Sequence, residues 1–100
     1  MDSVQYLLSN ATSRDKMAEI IIKYKKELSS DYVRYLLRYA EDKEQMAKIL
    51  GADNINKLSS DYVYDLLRFA EDKKQMAQII DKYHQKKTPE IQKLIDKYLS

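Results

Sequence analysis

The chain contains a near-duplicate of itself, and this repeat constrains the fold more than any other feature. Residues 28–50 align with residues 58–80 at an offset of 30, and 17 of the 23 aligned positions are identical. A fainter copy occupies residues 4–20, which match residues 33–49 at an offset of 29. Periods of 20 to 50 residues are typical of stacked supersecondary units. The sequence therefore predicts a short repeat array.

The composition favours α-helices. The 100 residues include one glycine and one proline, which leaves little material for β-turns or phosphate-binding loops, whereas helices tolerate this scarcity. Hydrophobic residues make up 44% and charged residues 34% of the chain, a balance typical of folded globular domains rather than disordered chains. We expect one all-α domain covering residues 1–100.

Hydrophobic periodicity divides each unit into two helices. In the middle unit, Val33, Leu36, Leu37 and Ala40 recur at the spacing of one helix face. A second apolar stripe begins at Met46, after a run of polar residues. Each unit is therefore predicted to be a helix–turn–helix hairpin.

Helix-start signals agree with this division. Ser29 and Ser59 precede the first helix of their units, while Asp42 and Asp72, each followed three residues later by glutamine, precede the second. The second helix of the third unit is predicted to run roughly from Asp72 to Lys86. Thr88, followed directly by proline and glutamate, predicts the start of a final helix.

These signals define an array of about three hairpins. The predicted units are approximately residues 1–28, 29–58 and 59–87, with a C-terminal capping helix at 88–100. Gly51 is expected to end the second helix of the middle unit near Leu50, and residues 52–57 are expected to form a further helical turn. A compact helical bundle is the alternative architecture.

The differences between the two close copies point to a binding surface. Arg34 is replaced by Tyr64, Tyr35 by Asp65 and Tyr39 by Phe69, whereas Arg38 and Arg68 correspond. Tyrosine and arginine are favoured anchors at protein interfaces. The first hypothesis is therefore a non-catalytic module that binds another protein through this surface. The predicted partner-binding residues are Arg34, Tyr35, Arg38, Tyr39, Tyr64, Asp65, Arg68 and Phe69. In the alternative interpretation, Tyr35 and Tyr39 only widen the packing stripe, although the aspartate at 65 favours an exposed site there.

Catalysis and metal binding are not indicated. Cysteine is absent, and the only histidine, His84, stands among lysines and is expected on the solvated surface. The paired acids at 41–42 and 71–72 repeat with the unit and fit helix starts. The chain also lacks a phosphate-binding loop and a nucleophile motif. We expect no enzyme activity, no cofactor and no small-molecule substrate.

Nucleic-acid binding is the second hypothesis, because lysines stand beside aromatic residues. One cluster is Lys23, Lys25 and Lys26 with Tyr24; the other is Lys82, Lys86, Lys87, Lys93 and Lys97 with Tyr83 and Tyr98. The net charge of +2 gives little general attraction to polyanions. A self-associating or deliberately designed scaffold is the third hypothesis.

The chain is expected to be a cytoplasmic, soluble protein, either a monomer or a weak homo-oligomer. Residues 1–10 lack the features of a signal peptide, and no segment approaches the roughly 20 apolar residues of a membrane span. A membrane partner is therefore not expected.

The spacing LSSDYVxxLLRxAEDKxQMAxII is similar to the register of transcription-activator-like effector repeats. The resemblance covers each unit. Those repeats have a Gly-Gly step after the residue that reads a DNA base, whereas Tyr39-Ala40-Glu41-Asp42 occupies the corresponding stretch here. Because acidic side chains beside a DNA groove would be repelled, neither the function nor a base-reading residue is carried over.

Overall fold

The computed structural model describes residues 3–100, apart from the side chains of Ser3 and Gln5, and within that range it is built of helices without a β-strand. The helices are α1 (Ser3–Ser9), α2 (Arg14–Tyr24), α3 (Ser30–Tyr39), α4 (Lys43–Ile55), α5 (Ser60–Arg68), α6 (Lys73–Tyr83) and α7 (Pro89–Leu99). A short 3-10 turn, Lys25–Glu27, extends α2. The predicted all-α fold is confirmed; residues 1 and 2 of the first predicted unit lie outside the described residues.

Successive helices pair, and the pairs stack with like helices in contact. Helix α1 packs on α2, α3 on α4, and α5 on α6. Helices α3, α5 and α7 follow one another in one layer, while α2, α4 and α6 follow one another in the other. The molecule measures 38 × 21 × 18 Å, with a radius of gyration of 13.3 Å. That radius is close to the roughly 13 Å expected for a domain of this length, so the short stack is as compact as a small bundle.

The predicted N-caps are all in place. Ser29 and Ser59 begin α3 and α5, and Asp42 and Asp72 begin α4 and α6. Each side chain accepts a hydrogen bond from the backbone N–H three residues further on, at 2.9 to 3.3 Å. These bonds satisfy backbone donors that have no partner inside the helix, and they fix the boundary between the two helices of a hairpin.

Gly51 breaks α4, as its position predicts. Its φ of 78° and ψ of 168° lie outside the helical region, and only glycine adopts this combination readily. The chain resumes a helical turn immediately, and this turn brings Ile55 and then Leu58 into the core. Asn54 stabilises the break because its Nδ2 donates to the carbonyl of Leu50 at 2.9 Å.

The core follows the predicted stripes, and most core positions of one close copy are buried in the other copy too. The buried pairs are Val33 with Val63, Leu36 with Leu66, Leu37 with Leu67, Ala47 with Ala77, and Leu50 with Ile80. Helix α7 contributes Ile91 and Ile95, and the first hairpin contributes Val4, Leu8 and Ile21. One continuous core therefore runs through all the described hairpins.

The prediction that His84 lies on the solvated surface is wrong. The residue ends α6 and is only 3% exposed. Its Nε2 lies 3.1 Å from the carbonyl oxygen of Leu58; since a carbonyl only accepts, Nε2 carries the proton in this contact. The imidazole is buried because it supplies the donor that this carbonyl needs. Helix α6 consequently stops at Tyr83, three residues before the predicted end at 86.

Candidate functional site

Six of the eight predicted binding residues are exposed. Tyr35, Arg38, Tyr39, Asp65, Arg68 and Phe69 face outward, while Arg34 and Tyr64 are partly buried. The exposed fractions of Tyr35 and Tyr39 are 54% and 62%, and that of Phe69 is 63%. The alternative in which the tyrosines only widen the packing stripe is therefore wrong. Both lie beside the buried face of α3 and point away from the core.

The tyrosines of α3 form a row of touching rings. The centroids of Tyr32 and Tyr35 are 5.6 Å apart, and those of Tyr35 and Tyr39 are 4.9 Å apart, with tilted planes in both pairs. Tilted contacts at these distances are favourable for aromatic rings. The row is anchored at Tyr32, which packs on the core, so the exposed rings are held in place before any partner arrives.

The arginines of this surface stack on aromatic rings. The guanidinium carbon of Arg38 lies 5.5 Å from the ring centre of Tyr39, and that of Arg68 lies 5.6 Å from Tyr64 and 5.7 Å from Phe69. Neither arginine is in an ion pair within residues 3–100. A guanidinium that contacts a ring at this distance and has no carboxylate partner still has N–H groups to donate to an acceptor.

A first groove runs between the first and middle hairpins and has a volume of about 450 Å³. Its apolar lining consists of Met17, Ala18, Leu36, Ala40, Met46 and Ile49. Polar side chains line its rim, where an ion pair between Arg14 of α2 and Glu41 closes one side. This volume is within the range of pockets that accept a ligand side chain or small molecule.

A second groove of about 490 Å³ lies between the C-terminal ends of α3 and α5. It repeats the first at an offset of 30: Leu66, Phe69, Ala70, Glu71 and Met76 stand where Leu36, Tyr39, Ala40, Glu41 and Met46 stand in the first groove. Aspartate at position 65 replaces Tyr35, so the second groove is the more polar of the two.

Four predicted residues form the wall between the grooves, and we call this wall the ridge: Arg34, Tyr35, Arg38 and Tyr39, which also line a depression of about 280 Å³. Tyr39 lines both grooves, Tyr35 faces the first, and the two arginines face the second. Of the other predicted residues, Asp65 and Phe69 form the far side of the second groove. Tyr64 lies further along, beside Pro89 of α7.

A hydrogen bond between the middle and third hairpins lies next to the ridge residue Arg34. The hydroxyl of Tyr62 in α5 donates to Oδ1 of Asp31 in α3, and Arg34 lies 4.2 Å from the centre of the Tyr62 ring. This hydrogen bond raises the pKa of Tyr62, the charge of Asp31 and burial raise it further, and the charge of Arg34 opposes the change. Arg34 is thus committed mainly to packing between α3 and α5.

The pKa of Tyr32, at the base of the aromatic row, is also raised. Burial is the main cause, the charge of Tyr35 adds to it, and a hydrogen bond with Ser9 opposes it. Both raised values indicate that the neutral phenol is the form that the packed hairpins accommodate.

The grooves themselves were not predicted from the sequence. Their signal was the methionine that recurs at positions 17, 46 and 76, at offsets of 29 and 30. A repeated methionine at helical spacing is equally typical of a core, and Met76 is buried whereas Met17 and Met46 are partly exposed. Only the packing of neighbouring hairpins distinguishes the two cases.

Each lysine cluster contains a contact between a lysine and a tyrosine. Lys23 lies 5.3 Å from the ring centre of Tyr24, and Lys82 lies 5.3 Å from that of Tyr83. These pairs occupy equivalent positions of the first and third hairpins, but the middle hairpin has Asp53 at the tyrosine position. In the sequence, a carboxylate therefore stands where the first and third hairpins have a tyrosine.

Metal-binding clusters and membrane-spanning helices are absent from the part of the chain that the structure describes. Residues 3–100 contain no group of three or more histidine, cysteine, aspartate or glutamate side chains placed to hold a metal ion. None of the seven helices is both long enough and apolar enough to cross a membrane.

No protein-family model matches this chain, and neither a curated protein nor a solved structure is significantly similar to it.

Proposed function

We propose that the protein is a non-catalytic interaction module that binds another protein through the ridge and the groove on either side of it. The observation that carries this proposal is the exposed aromatic row, because Tyr35 and Tyr39 are more than half exposed although their rings are held against one another. Large aromatic side chains that are fixed in advance lose little entropy on binding and bury a large area.

The surroundings of the row support the same function. Interface hot spots are enriched in tyrosine and arginine and lie where neighbouring contacts can exclude water. On this protein Arg38 lies against Tyr39, and a groove with apolar residues in its lining flanks the pair on either side. A partner that covers the ridge can therefore desolvate aromatic and arginine side chains together.

Nucleic acid fits the same surface less well. Glu41, Asp42, Asp65 and Glu71 line the grooves on both sides of the ridge. A phosphate backbone following the grooves would meet these carboxylates, and binding through phosphates requires cations at most contacts.

The test is a pull-down from cell lysate with two variants beside the wild type, each shown by circular dichroism to be folded. The ridge variant carries Tyr35→Ala, Arg38→Ala and Tyr39→Ala. The control variant carries Lys48→Ala and Gln78→Ala, which change exposed positions of α4 and α6 away from the ridge. We expect proteins that the wild type and the control recover, in nuclease-treated lysate and at moderate salt, and that the ridge variant does not recover.

Two results would contradict the proposal. Equal recovery by the wild type and the ridge variant would show that the ridge is not the contact surface. Recovery that disappears after nuclease treatment and falls steeply with salt would assign the surface to nucleic acid instead.

A further inference from the structure

The two grooves are equivalent sites on successive hairpins, and this duplication limits what can fill both. Leu36, Ala40 and Met46 line one groove at the positions that Leu66, Ala70 and Met76 occupy in the other. A ligand that matches one groove with an apolar side chain therefore finds a second, similar groove one repeat further along the stack.

Between the grooves the surface is cationic. The side chain of Arg38 is exposed, stacks on Tyr39 and is in no ion pair within the described residues. The nearby Glu41 is paired with Arg14. A guanidinium in this state is well suited to a carboxylate, which it can bind through two parallel hydrogen bonds.

We propose that the partner contributes an amphipathic helix that lies across both grooves, with one apolar side chain in each groove and a carboxylate over Arg38. This inference rests on the proposed function and specifies the chemistry of the partner. The charge complementarity is local: an acid is favoured at the ridge, while Asp65 and Glu71 disfavour acids at the second groove.

A helix is preferred to an extended peptide because the backbone N–H and C=O groups of a helix are already paired with one another. Together, helices α2 to α6 form the walls of the two grooves. Backbone groups inside a helix are already paired, so these walls offer few hydrogen-bond partners to a bound peptide. An extended peptide would bring N–H and C=O groups into grooves with few partners for them, whereas a helix satisfies its own.

The repeat also sets the spacing of the anchors. Neighbouring helices pack about 8 to 10 Å apart, so equivalent grooves on adjacent hairpins are separated by about that distance. Seven residues of α-helix advance by about 10 Å and return to nearly the same face, while the third or fourth residue lies midway on that face. The partner helix therefore carries large apolar residues at positions i and i+7 and an aspartate or glutamate at i+3 or i+4.

The experiment is a selection from a displayed library of alanine-based helices of about 18 residues, long enough to hold a helix, randomised only at i, i+3, i+4 and i+7. The complete chain is the target. We expect enrichment of large apolar residues at both outer positions and of aspartate or glutamate at an inner one. Enrichment of lysine or arginine at the inner positions, or no enrichment, would overturn the inference.

The most enriched peptide is then measured against groove variants by fluorescence anisotropy. Ala18→Gln and Ala70→Gln place a longer neutral side chain at the first and the second groove, which each of these alanines lines alone, with Ala18→Ser and Ala70→Ser as smaller controls. We expect each glutamine variant and Arg38→Gln to weaken binding by about tenfold or more, while the serine variants and Lys48→Gln bind like the wild type. If only one of the two glutamine variants weakens binding, the inference of a helix across both grooves is wrong.

Failure of this inference can be distinguished from failure of the proposed function. If the ridge variant loses its proteins in the pull-down but the library gives no acidic two-anchor helix, the protein binds through the ridge and the helix inference alone is wrong. If the ridge variant recovers the same proteins as the wild type, the proposed function is wrong whatever the library yields. Displacement of the selected peptide by a single-stranded DNA oligonucleotide would assign the ridge to nucleic acid.

Discussion

At the scale of single residues, the hydrogen bond between Tyr62 and Asp31 links stability to pH. The pKa of Tyr62 is raised above its ordinary value of 10.0, mainly by this bond. A raised value in the folded state stabilises the protein fully below about pH 10, and that stabilisation is lost as the pH rises through the folded-state value. The sign follows from the neutral phenol, which donates the bond and is the favoured form.

Replacing Tyr62 with phenylalanine isolates this contribution. The variant keeps the ring that packs against Arg34 but has no hydroxyl to donate or ionise. Urea denaturation at pH 8 to 11 is expected to show the wild type more stable than Tyr62→Phe at the lower pH, with the difference shrinking above about pH 10. A difference that does not change with pH would rule out this role of the hydroxyl.

Leu66 tests the packing of the core. It is 3% exposed and aligns with the equally buried Leu36. Leu66→Ala is expected to reduce the free energy of unfolding by about 2 to 4 kcal/mol, because the cavity closes only partly. Tyr39→Ala, at a position 62% exposed, is the control and should cost less than about 1 kcal/mol. A loss below about 0.5 kcal/mol for Leu66→Ala would show that this side chain is not packed in the core.

His84 is part of a pattern that repeats between hairpins. Nε2 of His84 lies 3.1 Å from the carbonyl oxygen of Leu58, and Nζ of Lys57 donates to the equivalent carbonyl of Leu28 at 2.9 Å. Each of these leucines directly precedes an N-cap serine, that of α3 or that of α5. The next hairpin therefore supplies the donor in both cases, through a residue that differs in type and is offset by a few positions.

We expect His84→Ala to destabilise the protein by about 1 to 3 kcal/mol, since it leaves the carbonyl of Leu58 without its donor and removes buried packing. Thermal unfolding followed by circular dichroism measures the change. The matched comparison is Lys86→Ala, which alters an exposed neighbour and should have little effect. Equal melting temperatures for His84→Ala and the wild type would contradict the assigned role.

At the scale of elements, Gly51 fixes the shape of the middle hairpin. A β-carbon added at this position meets no atom within 4 Å, so space is not the constraint. The constraint is the backbone, because φ of 78° with ψ of 168° is nearly confined to glycine.

Gly51→Ala is therefore expected to cost about 1 to 3 kcal/mol, measured by urea denaturation. Ala52→Gly, at the adjacent position in the resumed helical turn, is the control and should cost about 1 kcal/mol or less. A gain in stability for Gly51→Ala, as the higher helix propensity of alanine alone would give, would show that α4 is continuous and that the break does not exist.

Element boundaries were predictable because local chemistry decides them. Ser29, Asp42, Ser59 and Asp72 cap helices through bonds to backbone groups three residues away, and such short-range signals can be read directly from the sequence. The end of α6 was predicted incorrectly. It depends on His84 reaching a carbonyl 26 positions earlier, which no local pattern encodes.

At the scale of the whole molecule, the difference between local signals and long-range contacts explains which parts of the candidate site could be predicted. The exposure of Asp65 followed from the cost of burying a lone carboxylate, and the positions on α3 and α5 followed from helical periodicity. The grooves could not be predicted, because they exist only where one hairpin meets the next. The link between Tyr62 and Asp31 was missed for the same reason, since it joins two hairpins.

Stacking of like helices gives the surface its repeating character. Because α3 and α5 lie side by side in one layer and α2, α4 and α6 in the other, equivalent side chains recur across the molecule at each hairpin. Tyr39 in the ridge on α3 and Phe69 on α5 are successive instances of one position in the repeat, and both line the second groove, so a single partner can contact both.

Site-specific photo-crosslinking shows whether the ridge is the surface that contacts a partner. A photoreactive benzoylphenylalanine replaces Tyr39, Phe69 or Ile22 in turn; the three side chains are 62%, 63% and 62% exposed, and Ile22 lines neither groove. In nuclease-treated lysate, we predict that one protein crosslinks from positions 39 and 69 and does not crosslink from position 22. Equal crosslinking from position 22, or no protein crosslinked from position 39, would contradict the assignment of the ridge as the binding surface.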